Sequence, residues 1–462
     1  IQTTQLLSVY PTRNQRGRSI SGPAWKWVDG QCLDKFIRGR EVRQIWQQYG
    51  PVYRIWSGFT PEIVITRPED IRAFHTDSAS HSKSTSSNGG WMFHQILGDC
   101  MGLINGGRWK RIRAQYDPYF VHRVAMAHSG HILQNVEATL ASIDGVDPTT
   151  LHVANSFSRF PFMATAGYLY GSLTDAEKEE VWSLGQRSLR LMGYVLSGSV
   201  YRFRLYHWLK PDTHRELLQF EEDWIGFNEQ IYNTRQAYDP SLPIVTSWKE
   251  VVEGRITKKE MVQTMSEMLF ANLDVSTNVL GWLVIFLAQD VQIQAQLRAE
   301  IKNQTSTLQE LCNRKDSLLH HCFLESLRLR PFTVFTIPES SPEKKVLGGY
   351  LIPANTSVVV DTLAINHNPE FWGHKSADFN PYRFKNLSPT QLRYNLFTFG
   401  FGTRKCLGQH FAEALMKLFI CQLLSRYQIG LPRTEKQKDG DYKTSKDAWV
   451  PIADVEVNLR PL

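Results

Sequence analysis

Phe399-Gly400-Phe401-Gly402-Thr403-Arg404-Lys405-Cys406-Leu407-Gly408 places a single cysteine in a glycine-rich loop, directly before an apolar, helix-prone segment. Metals bind cysteine as the thiolate, and the positive end of a helix dipole lowers the pKa of such a thiol. Gly402 and Gly408 permit tight turns and a close approach of the backbone to the sulfur. A lone Cys-x-Gly would indicate only a small buried residue. Five matched positions at fixed spacing predict a metal ligand at Cys406.

The spacing Phe-x-x-Gly-x-Arg-x-Cys-x-Gly resembles the haem-binding loop of the cytochrome P-450 superfamily, and the resemblance covers about residues 40–460. It implies the cytochrome P-450 fold, mainly α with a small β-sheet region, and haem b (iron protoporphyrin IX) as the cofactor. A thiolate on haem iron favours cleavage of the O–O bond of dioxygen. The resemblance further implies that Phe399 shields the sulfur, that Arg404 pairs with a haem propionate and that Gly408 admits the porphyrin.

Size and composition favour one enzyme domain. No composition break divides the 462 residues, so we expect a single catalytic domain over residues 1–462, acting as a monomer. The net charge of +7 is spread without a basic, aromatic-flanked stripe, which argues against a nucleic-acid partner. The six cysteines are scattered without zinc-ligand spacing, and this indicates reduced thiols in a cytosol-facing protein.

The N-terminal residues suggest a membrane flank. The chain starts at Ile1 without methionine, and microsomal members of the superfamily carry an anchor helix at this end. We therefore expect residues 1–30 to flank a removed membrane anchor, with the protein on the cytosolic face of the endoplasmic reticulum membrane. Arg13, Arg16 and Arg18 fit the basic cytosolic side of such an anchor. An ordinary frayed terminus is the alternative. The longest apolar run, Val279–Ala288, is about half the length that a bilayer requires.

Local patterns predict the principal elements. A helix should begin at Pro68, where two acidic residues occupy the first turn. Helical periodicity dominates from Arg108 to about Tyr427, including a long helix over Met261–Gln289. β-Branched and aromatic runs predict strands at Pro51–Trp56, Glu62–Thr66, Gly348–Ile352, Ser357–Asp361 and Val450–Val457.

A structural charge network is predicted behind the cysteine loop. Glu325 and Arg328 lie one turn apart on one helix face, and Arg383 follows in Pro381–Phe384. The resemblance implies that these three charges form a network that braces the loop. Glu69 and Arg72 have the same spacing, and we interpret them as a surface pair.

Further residues are implied to contact the haem. Trp109 and Arg113 share a helix face, and the family uses this pair on a propionate. His367 matches a family segment, although a core histidine is an equal alternative. The family commonly has arginine after the proline at Pro338, and here Glu339 follows, so the usual propionate clamp is in doubt. Lys405, with outward charges of the Trp109 helix, suits an acidic flavin-domain partner.

The segment expected to cross the distal haem face departs from the family. Its pattern Ala/Gly-Gly-x-Asp/Glu-Thr-Thr/Ser becomes Ala271-Asn272-Leu273-Asp274-Val275-Ser276. Asp274 matches the acid, but Val275 stands where a threonine hydroxyl normally helps to deliver protons. Ser276 is rotated about 100° around the helix, whereas Asn272 lies one turn before Val275 and offers an amide. Asp274, Asn272 and Ser276 are the predicted catalytic residues.

Three reactions remain open. Proton delivery through Asn272, water or a substrate hydroxyl gives an ordinary monooxygenase. Oxidative coupling or ring formation without oxygen insertion is the second, and a haem isomerisation or dehydration is the third. The intact acid at Asp274 favours the first.

The substrate is expected to be a mid-sized apolar or aromatic natural product. Short segments such as Gly50–Trp56 are similar to fungal secondary-metabolism members, which suggests a cyclic dipeptide or an indole alkaloid. NADPH electrons would arrive through a separate flavoprotein, the P-450 reductase, because no Rossmann or flavin fingerprint is present. A haem-binding sensor or electron carrier is the alternative of another class. The predicted substrate contacts are Trp91, Phe93, Phe270, Val275, Phe332 and Phe335, with neighbouring positions up to Ile337 and the segment Trp449–Pro451.

Overall fold

Helices make up most of the chain, as the sequence predicts. The computed structural model describes residues 17–143, 149–305, 307–432, 442–444 and 450–462. Its helices before the long central one are α1 (Cys32–Ile37), α2 (Gly39–Trp46), α3 (Pro68–His75), α4 (Trp91–Leu97), α5 (Gly106–Phe120), α6 (His122–Ala127), α7 (Ser129–Ala141), α8 (Val153–Phe157), α9 (Arg159–Tyr170), α10 (Asp175–Ser197), α11 (Tyr206–Leu209), α12 (Pro211–Arg235) and α13 (Pro243–Val252). The others are α14 (Lys258–Gln289), α15 (Val291–Asn303), α16 (Leu308–Asn313), α17 (Leu318–Leu329), α18 (Thr362–Asn366), α19 (Pro369–Trp372), α20 (Pro389–Leu392) and α21 (Gln409–Arg426).

The described strands form three small sheets. They are β1 (Val52–Ser57), β2 (Thr60–Ile65), β3 (Ser82–Lys83), β4 (Thr149–His152), β5 (Glu339–Ser340), β6 (Lys345–Leu347), β7 (Tyr350–Ile352), β8 (Ser357–Val360), β9 (Tyr427–Gly430) and β10 (Glu456–Pro461). The largest sheet has the order β1-β2-β8-β5-β3, the second β4-β10-β9 and the third β6-β7. The strand predicted at Val450–Val457 lies later, at β10, because its pairing with β4 and β9 fixes the strand.

The caps of two helices fix where they begin, and one of the two predicted starts is confirmed. Pro68 is the first residue of α3, and acidic residues follow in its first turn. Helix α14 begins three residues earlier than predicted, where Thr257 and Glu260 form a capping box. Local side-chain chemistry therefore decides where both helices begin.

Helix α14 is the centre of the fold. It packs against α8, α9, α13 and α17, and most of its side chains belong to the main hydrophobic core. By length and apolarity it is the single described helix that could span a bilayer, but 83% of its most apolar window is buried inside the protein. It is therefore a core helix, as the Val279–Ala288 run indicates.

Candidate active site

The cysteine loop is closed by its own backbone. The Cys406 N–H donates to the Phe399 carbonyl at 2.8 Å, and α21 begins directly after Gly408. Gly402 adopts a φ of +67°, and a Cβ there would lie 2.4 Å from the Ser78 hydroxyl oxygen. Gly402 is thus required by both conformation and space. A Cβ at Gly408 would lie 4.0 Å from the Cys406 sulfur, an ordinary contact, so the sulfur itself does not require that glycine.

The Cys406 side chain is accessible although its surroundings desolvate the thiol, and we infer from this a space inside the protein, called here the hollow. The side chain is exposed, yet burial raises the pKa of its thiol, and this effect outweighs the Gly408 N–H that acts to lower it. The Gly408 N–H at the start of α21 has the lowering effect that the sequence predicts, but burial outweighs it. Arg113 also acts to lower the pKa, and an iron ion bound to the sulfur would add positive charge and favour the thiolate.

One face of α14 forms the other wall of the hollow. Between residues 261 and 288 only five side chains are not buried: Glu267, Met268, Ala271, Asn272 and Val275. Positions spaced i, i+1, i+4, i+5 and i+8 lie on a single helix face. Burial has the largest effect on the pKa of Cys406, and the charge of Glu267 also acts to raise it. Because such an effect requires proximity, this exposed stripe of α14 lies near the sulfur.

Comparison with known proteins decides which group occupies such a hollow. A family model described as Cytochrome P450 matches residues 22–454. The chain belongs to the cytochrome P450 family. It is 38% identical to cytochrome P450 monooxygenase sirC of Leptosphaeria maculans, over 98% of this chain and 90% of that one. It is 37% identical to cytochrome P450 monooxygenase asaD of Aspergillus flavus, over 98% and 90% respectively. The protein is therefore a cytochrome P450 monooxygenase enzyme, and the sensor alternative falls.

The residues around the hollow fit haem. An accessible thiol and a mainly apolar helix face with accessible surface suit a thiolate ligand and a flat, apolar macrocycle. Cys406 would hold the iron, and the exposed stripe of α14 would border the haem. Bound there, haem supplies the iron at which P450 enzymes activate dioxygen.

The predicted charge network is formed as three buried or half-buried side chains. Arg328 donates to both Glu325 oxygens, at 2.6 and 2.8 Å, and both side chains are fully buried. Arg383 Nε donates to Glu325 at 3.1 Å. Glu325 also accepts the Asn380 N–H at 2.9 Å. The network is thus satisfied on all sides, as a buried charge requires.

Asn366 connects this network to the cysteine loop, and sequence reasoning missed it. The Arg328 guanidinium donates to the Asn366 carbonyl at 2.7 Å. The Asn366 amide in turn pairs with the Phe397 backbone, accepting its N–H at 2.7 Å and donating to its carbonyl at 3.0 Å. Phe397 precedes the loop by two residues, so the network braces the start of the loop through one buried amide.

Three of the predicted haem contacts meet beside the loop. The Arg404 guanidinium stacks 4.6 Å from the Trp109 ring centroid and donates to backbone carbonyls in the 99–105 loop, including Ile104 at 2.9 Å. Arg113 donates to the Lys405 carbonyl at 3.2 Å and pairs with Asp117. The structure therefore brings Trp109, Arg113 and Arg404 together beside the cysteine loop, with Arg404 also fastening the neighbouring loop. Their contacts with haem propionates stay predictions.

The glutamate that replaces the usual arginine is neutralised by Lys83. The Lys83 ammonium pairs with the Glu339 carboxylate in a buried contact. Burial acts to raise the pKa of Glu339, but Lys83, His81 and His75 outweigh it and hold the pKa well below the ordinary range. The Asn105 side-chain oxygen accepts hydrogen bonds from both the Lys83 N–H and the Arg404 guanidinium, so Lys83 lies close to Arg404. Lys83 therefore supplies a second cation there, although it is 256 residues from its partner Glu339 in the chain.

His367 lies with the charge network rather than beside Cys406. Burial lowers the pKa of His367 to about 3, and Arg328, Arg40 and Arg43 reinforce the effect. The imidazole is consequently neutral in the physiological range. Both the haem contact at His367 and the alternative of a core histidine stay predictions.

The distal polar residues form one chain along α14. The Asn272 amide donates to the Met268 carbonyl at 2.7 Å, and the Ser276 hydroxyl donates to the Asn272 side-chain oxygen. Asn272 thereby makes the bond to a carbonyl one turn back that Val275 cannot make. Ser276 and Asp274 are buried beside the exposed stripe rather than on it. Of the three predicted catalytic residues, Asn272 alone has surface on the hollow.

The predicted substrate residues divide into two groups. Trp91, Phe93, Val275 and Phe332 keep exposed surface, and Trp91 lies 5.3 Å from the Tyr206 ring. Two others are core residues, because they pack on aromatic neighbours away from the exposed stripe: Phe270 lies 4.7 Å from the Trp224 ring and Phe335 lies 5.7 Å from the Trp46 ring. Trp449 lies outside the described residues. Pattern alone could not separate the groups, since core and cavity positions are equally apolar.

Replacement of Asn272 by alanine is expected to lower turnover about a hundredfold, the lower end of the range for loss of one proton-transfer group. The variant removes the single amide on the hollow and leaves Ser276 without its acceptor. Product formed per NADPH consumed measures the effect, and the ligand-induced spectral shift should persist. Ser276→Ala is the matched control, with a smaller loss because the residue is buried. Equal turnover in wild type and Asn272→Ala would remove Asn272 from the mechanism.

Proposed function

We propose that this P450 oxidises a mid-sized, mainly apolar or aromatic natural product, such as a cyclic dipeptide or an indole alkaloid. The exposed stripe of α14 opposite Cys406 carries this proposal, because it presents three apolar residues and few polar ones to the substrate space. Trp91, Phe93 and Phe332 add half-exposed aromatic surface. Similarity to fungal monooxygenases over nearly the whole chain supports the same class.

A difference-spectrum titration of the ferric, haem-loaded protein tests the substrate class. Aromatic cyclic dipeptides and indole alkaloids are compared with steroids and fatty acids. We expect a low-to-high-spin shift with the first group, because those compounds combine aromatic surface with few charges. A shift with steroids or fatty acids alone would overturn the natural-product proposal and indicate lipid oxidation.

Oxidative coupling without oxygen insertion is the second candidate reaction. The observation that favours it is Val275, which presents a side chain without a hydroxyl on the stripe where the family has threonine. Asn272 and the buried Asp274 favour ordinary oxygen insertion. Turnover under isotopically labelled dioxygen separates the two, since only insertion places the label in the product.

Electrons are proposed to come from NADPH through a separate flavoprotein reductase. Lys405 is exposed next to Cys406, and Arg113 on α5 contacts its carbonyl. Lys110 and Arg111 are exposed on the same helix and extend this basic surface. Arg108 is not part of it, because Asp99 and Glu260 neutralise its charge. A basic surface over the thiolate suits an acidic flavin domain.

Charge reversal on this surface should weaken reductase docking. In Lys110→Glu/Arg111→Glu we expect the KM for the reductase to rise about tenfold at low salt, because rim charges chiefly steer association. The difference should shrink as ionic strength rises. Stopped-flow reduction of the haem checks the rate. Lys178→Glu, on exposed α10, is the control and should leave it unchanged; an equal effect there would refute a specific docking surface.

Membrane association at the endoplasmic reticulum is also proposed, with a monomer as the functional unit. Large apolar side chains are exposed in two segments, Trp27 at 71% near the N-terminus and Trp208 at 74% with Leu209 at 65% around α11. Asp29 accepts the Ser199 N–H at 2.8 Å, which ties the N-terminal segment to the turn that precedes α11. Exposed tryptophan and leucine side chains are typical of membrane-facing surfaces. Of the expected basic flank, Arg18 is described, whereas Arg13 and Arg16 lie outside the described residues.

A further inference from the structure

One carboxyl group on the exposed stripe of α14 has no part in the chemistry described above. Glu267 lies one turn before Ala271 and two turns before Val275, roughly 6 Å and 12 Å away along the helix axis at about 1.5 Å per residue. Its side chain keeps surface on the hollow. Acidic residues are seldom placed in an otherwise apolar lining without a partner. Glu267 therefore lies on the same wall of the hollow as Ala271 and Val275.

The contacts of Glu267 fasten the 99–105 loop but do not require a carboxyl. Glu267 Oε2 accepts the Gly102 N–H at 2.9 Å. Gln263 accepts the Asp99 N–H at 2.7 Å, and Thr264 accepts the Met101 N–H at 3.1 Å, so three successive acceptors on α14 hold the loop. An amide and a hydroxyl suffice at the first two positions. Glu267 is the third acceptor and the only one of the three with surface on the hollow. Its carboxyl can form more hydrogen bonds than are needed to hold the loop.

The surroundings favour the neutral form of this carboxyl. Burial raises the pKa of Glu267, and this outweighs the Gly102 N–H, the Cys100 thiol and the charges of Arg404 and Lys83, all of which act to lower it. A neutral carboxyl donates one hydrogen bond and accepts another on the same edge. A cis amide, as in a cyclic dipeptide, presents its N–H and C=O on one edge in the complementary arrangement.

We propose that Glu267 binds a cis amide of the substrate through a paired hydrogen bond and thereby selects substrates that contain one. The inference rests on the proposed function and names the substrate group that this site recognises. The remainder of the substrate extends along the stripe towards Ala271 and Val275. Because the site then contains a polar group that needs a partner, analogues without an amide are disfavoured.

The test compares two ligands of the same shape on the haem-loaded protein. The cyclic dipeptide of two phenylalanines carries two cis amides, whereas 1,4-dibenzylcyclohexane carries none. Spectral titration should show that Glu267→Leu weakens the dipeptide about tenfold or more, as expected for loss of a paired hydrogen bond. The same variant should change the affinity for the hydrocarbon less than threefold. Gln263→Leu removes a loop fastening from a buried position and should preserve the wild-type preference.

A second measurement covers the case in which Glu267→Leu does not fold. Glu267→Gln keeps the acceptor for Gly102 and cannot ionise. Dipeptide affinity of the wild type should fall as pH rises through the raised pKa of Glu267, because the carboxylate can no longer donate to the amide carbonyl. Cys100, Lys83 and Arg404 face the same group, but Lys83 and Arg404 stay cationic and burial raises the pKa of Cys100 well above the ordinary range. The affinity of Glu267→Gln should therefore not change over that interval.

The possible outcomes distinguish failure of this inference from failure of the proposed function on which it rests. If the wild type binds the dipeptide and Glu267→Leu weakens both ligands equally, Glu267 only fastens the loop. The same conclusion follows if Gln263→Leu reproduces the loss, or if the wild-type affinity does not change with pH. If the wild type shows no spectral shift with either ligand or with any other cyclic dipeptide, the proposed substrate class is wrong. The inference about Glu267 is then wrong as well.

Discussion

Replacement of Cys406 by serine is expected to abolish the thiolate-type spectrum of the ferrous–CO complex. The sulfur faces the hollow from a loop fixed by the Phe399 carbonyl, and no other cysteine shares that position, since the remaining five are buried. Serine keeps the size of the side chain but offers a hydroxyl that stays protonated under conditions where a metal-bound thiol loses its proton. Dioxygen activation, which depends on the thiolate, should be lost with the spectrum.

The control for this variant is another cysteine of the same size and chemistry. Cys32→Ser changes a buried cysteine in α1, outside the loop and the stripe of α14. Its ferrous–CO spectrum should match that of the wild type, although stability falls modestly because a hydroxyl is buried. Haem content, measured for both variants, distinguishes loss of the ligand from loss of the fold. An unchanged thiolate-type spectrum in Cys406→Ser would overturn the assignment of the iron ligand.

Replacement of Glu325 by glutamine is expected to destabilise the protein by about 3–5 kcal/mol, the usual cost of breaking a buried ion pair from one side. Arg328 would remain fully buried without a counter-charge, and Arg383 would lose the same partner. Total stabilities of about 5–15 kcal/mol leave little margin for such a loss. Because Arg328 also supports Asn366 and the cysteine loop, haem content should fall together with the thermal unfolding temperature.

The chain provides a matched control with the same spacing on its surface. Glu69→Gln alters the other Glu-x-x-Arg sequence, whose glutamate is 68% exposed and lies 3.8 Å from Arg67 rather than beside Arg72. The interpretation of Glu69 and Arg72 as a pair is therefore wrong, although both are surface residues. Exposed ion pairs contribute little, so this variant should change stability by less than about 0.5 kcal/mol. Similar losses of stability in Glu325→Gln and Glu69→Gln would show that the Glu325 network stabilises the protein no more than an exposed ion pair does.

The cysteine loop, the Glu325–Arg328 pair and the start of α3 could be read from the sequence because each depends on near neighbours. Pro68 is followed by two acidic residues in the first turn of α3, and Arg328 reaches Glu325 within one turn. Fixed spacing alone places such groups together, whatever the rest of the chain does. The same holds for Trp109 and Arg113 on one face of α5.

Helix α14 shows why the substrate side of the site could not be read in this way. It is apolar almost all round, so hydrophobic periodicity does not distinguish the face on the core from the face on the hollow. Packing of the surrounding helices leaves only the stripe from Glu267 to Val275 uncovered, and it buries Phe270 against Trp224. The burial of Phe335 beside Trp46 has the same cause.

The sequence by itself determined the helical class and the absence of a hydroxyl at Val275, and it predicts Cys406 as the thiolate ligand, because these are properties of residue type at short, fixed spacing. Only the tertiary structure paired Lys83 with Glu339 and linked Asn366 to Phe397. It alone placed Glu267 on the hollow. These contacts join segments far apart in the chain, and their partners are selected by packing and by the need of buried polar groups for hydrogen bonds, which no local pattern encodes.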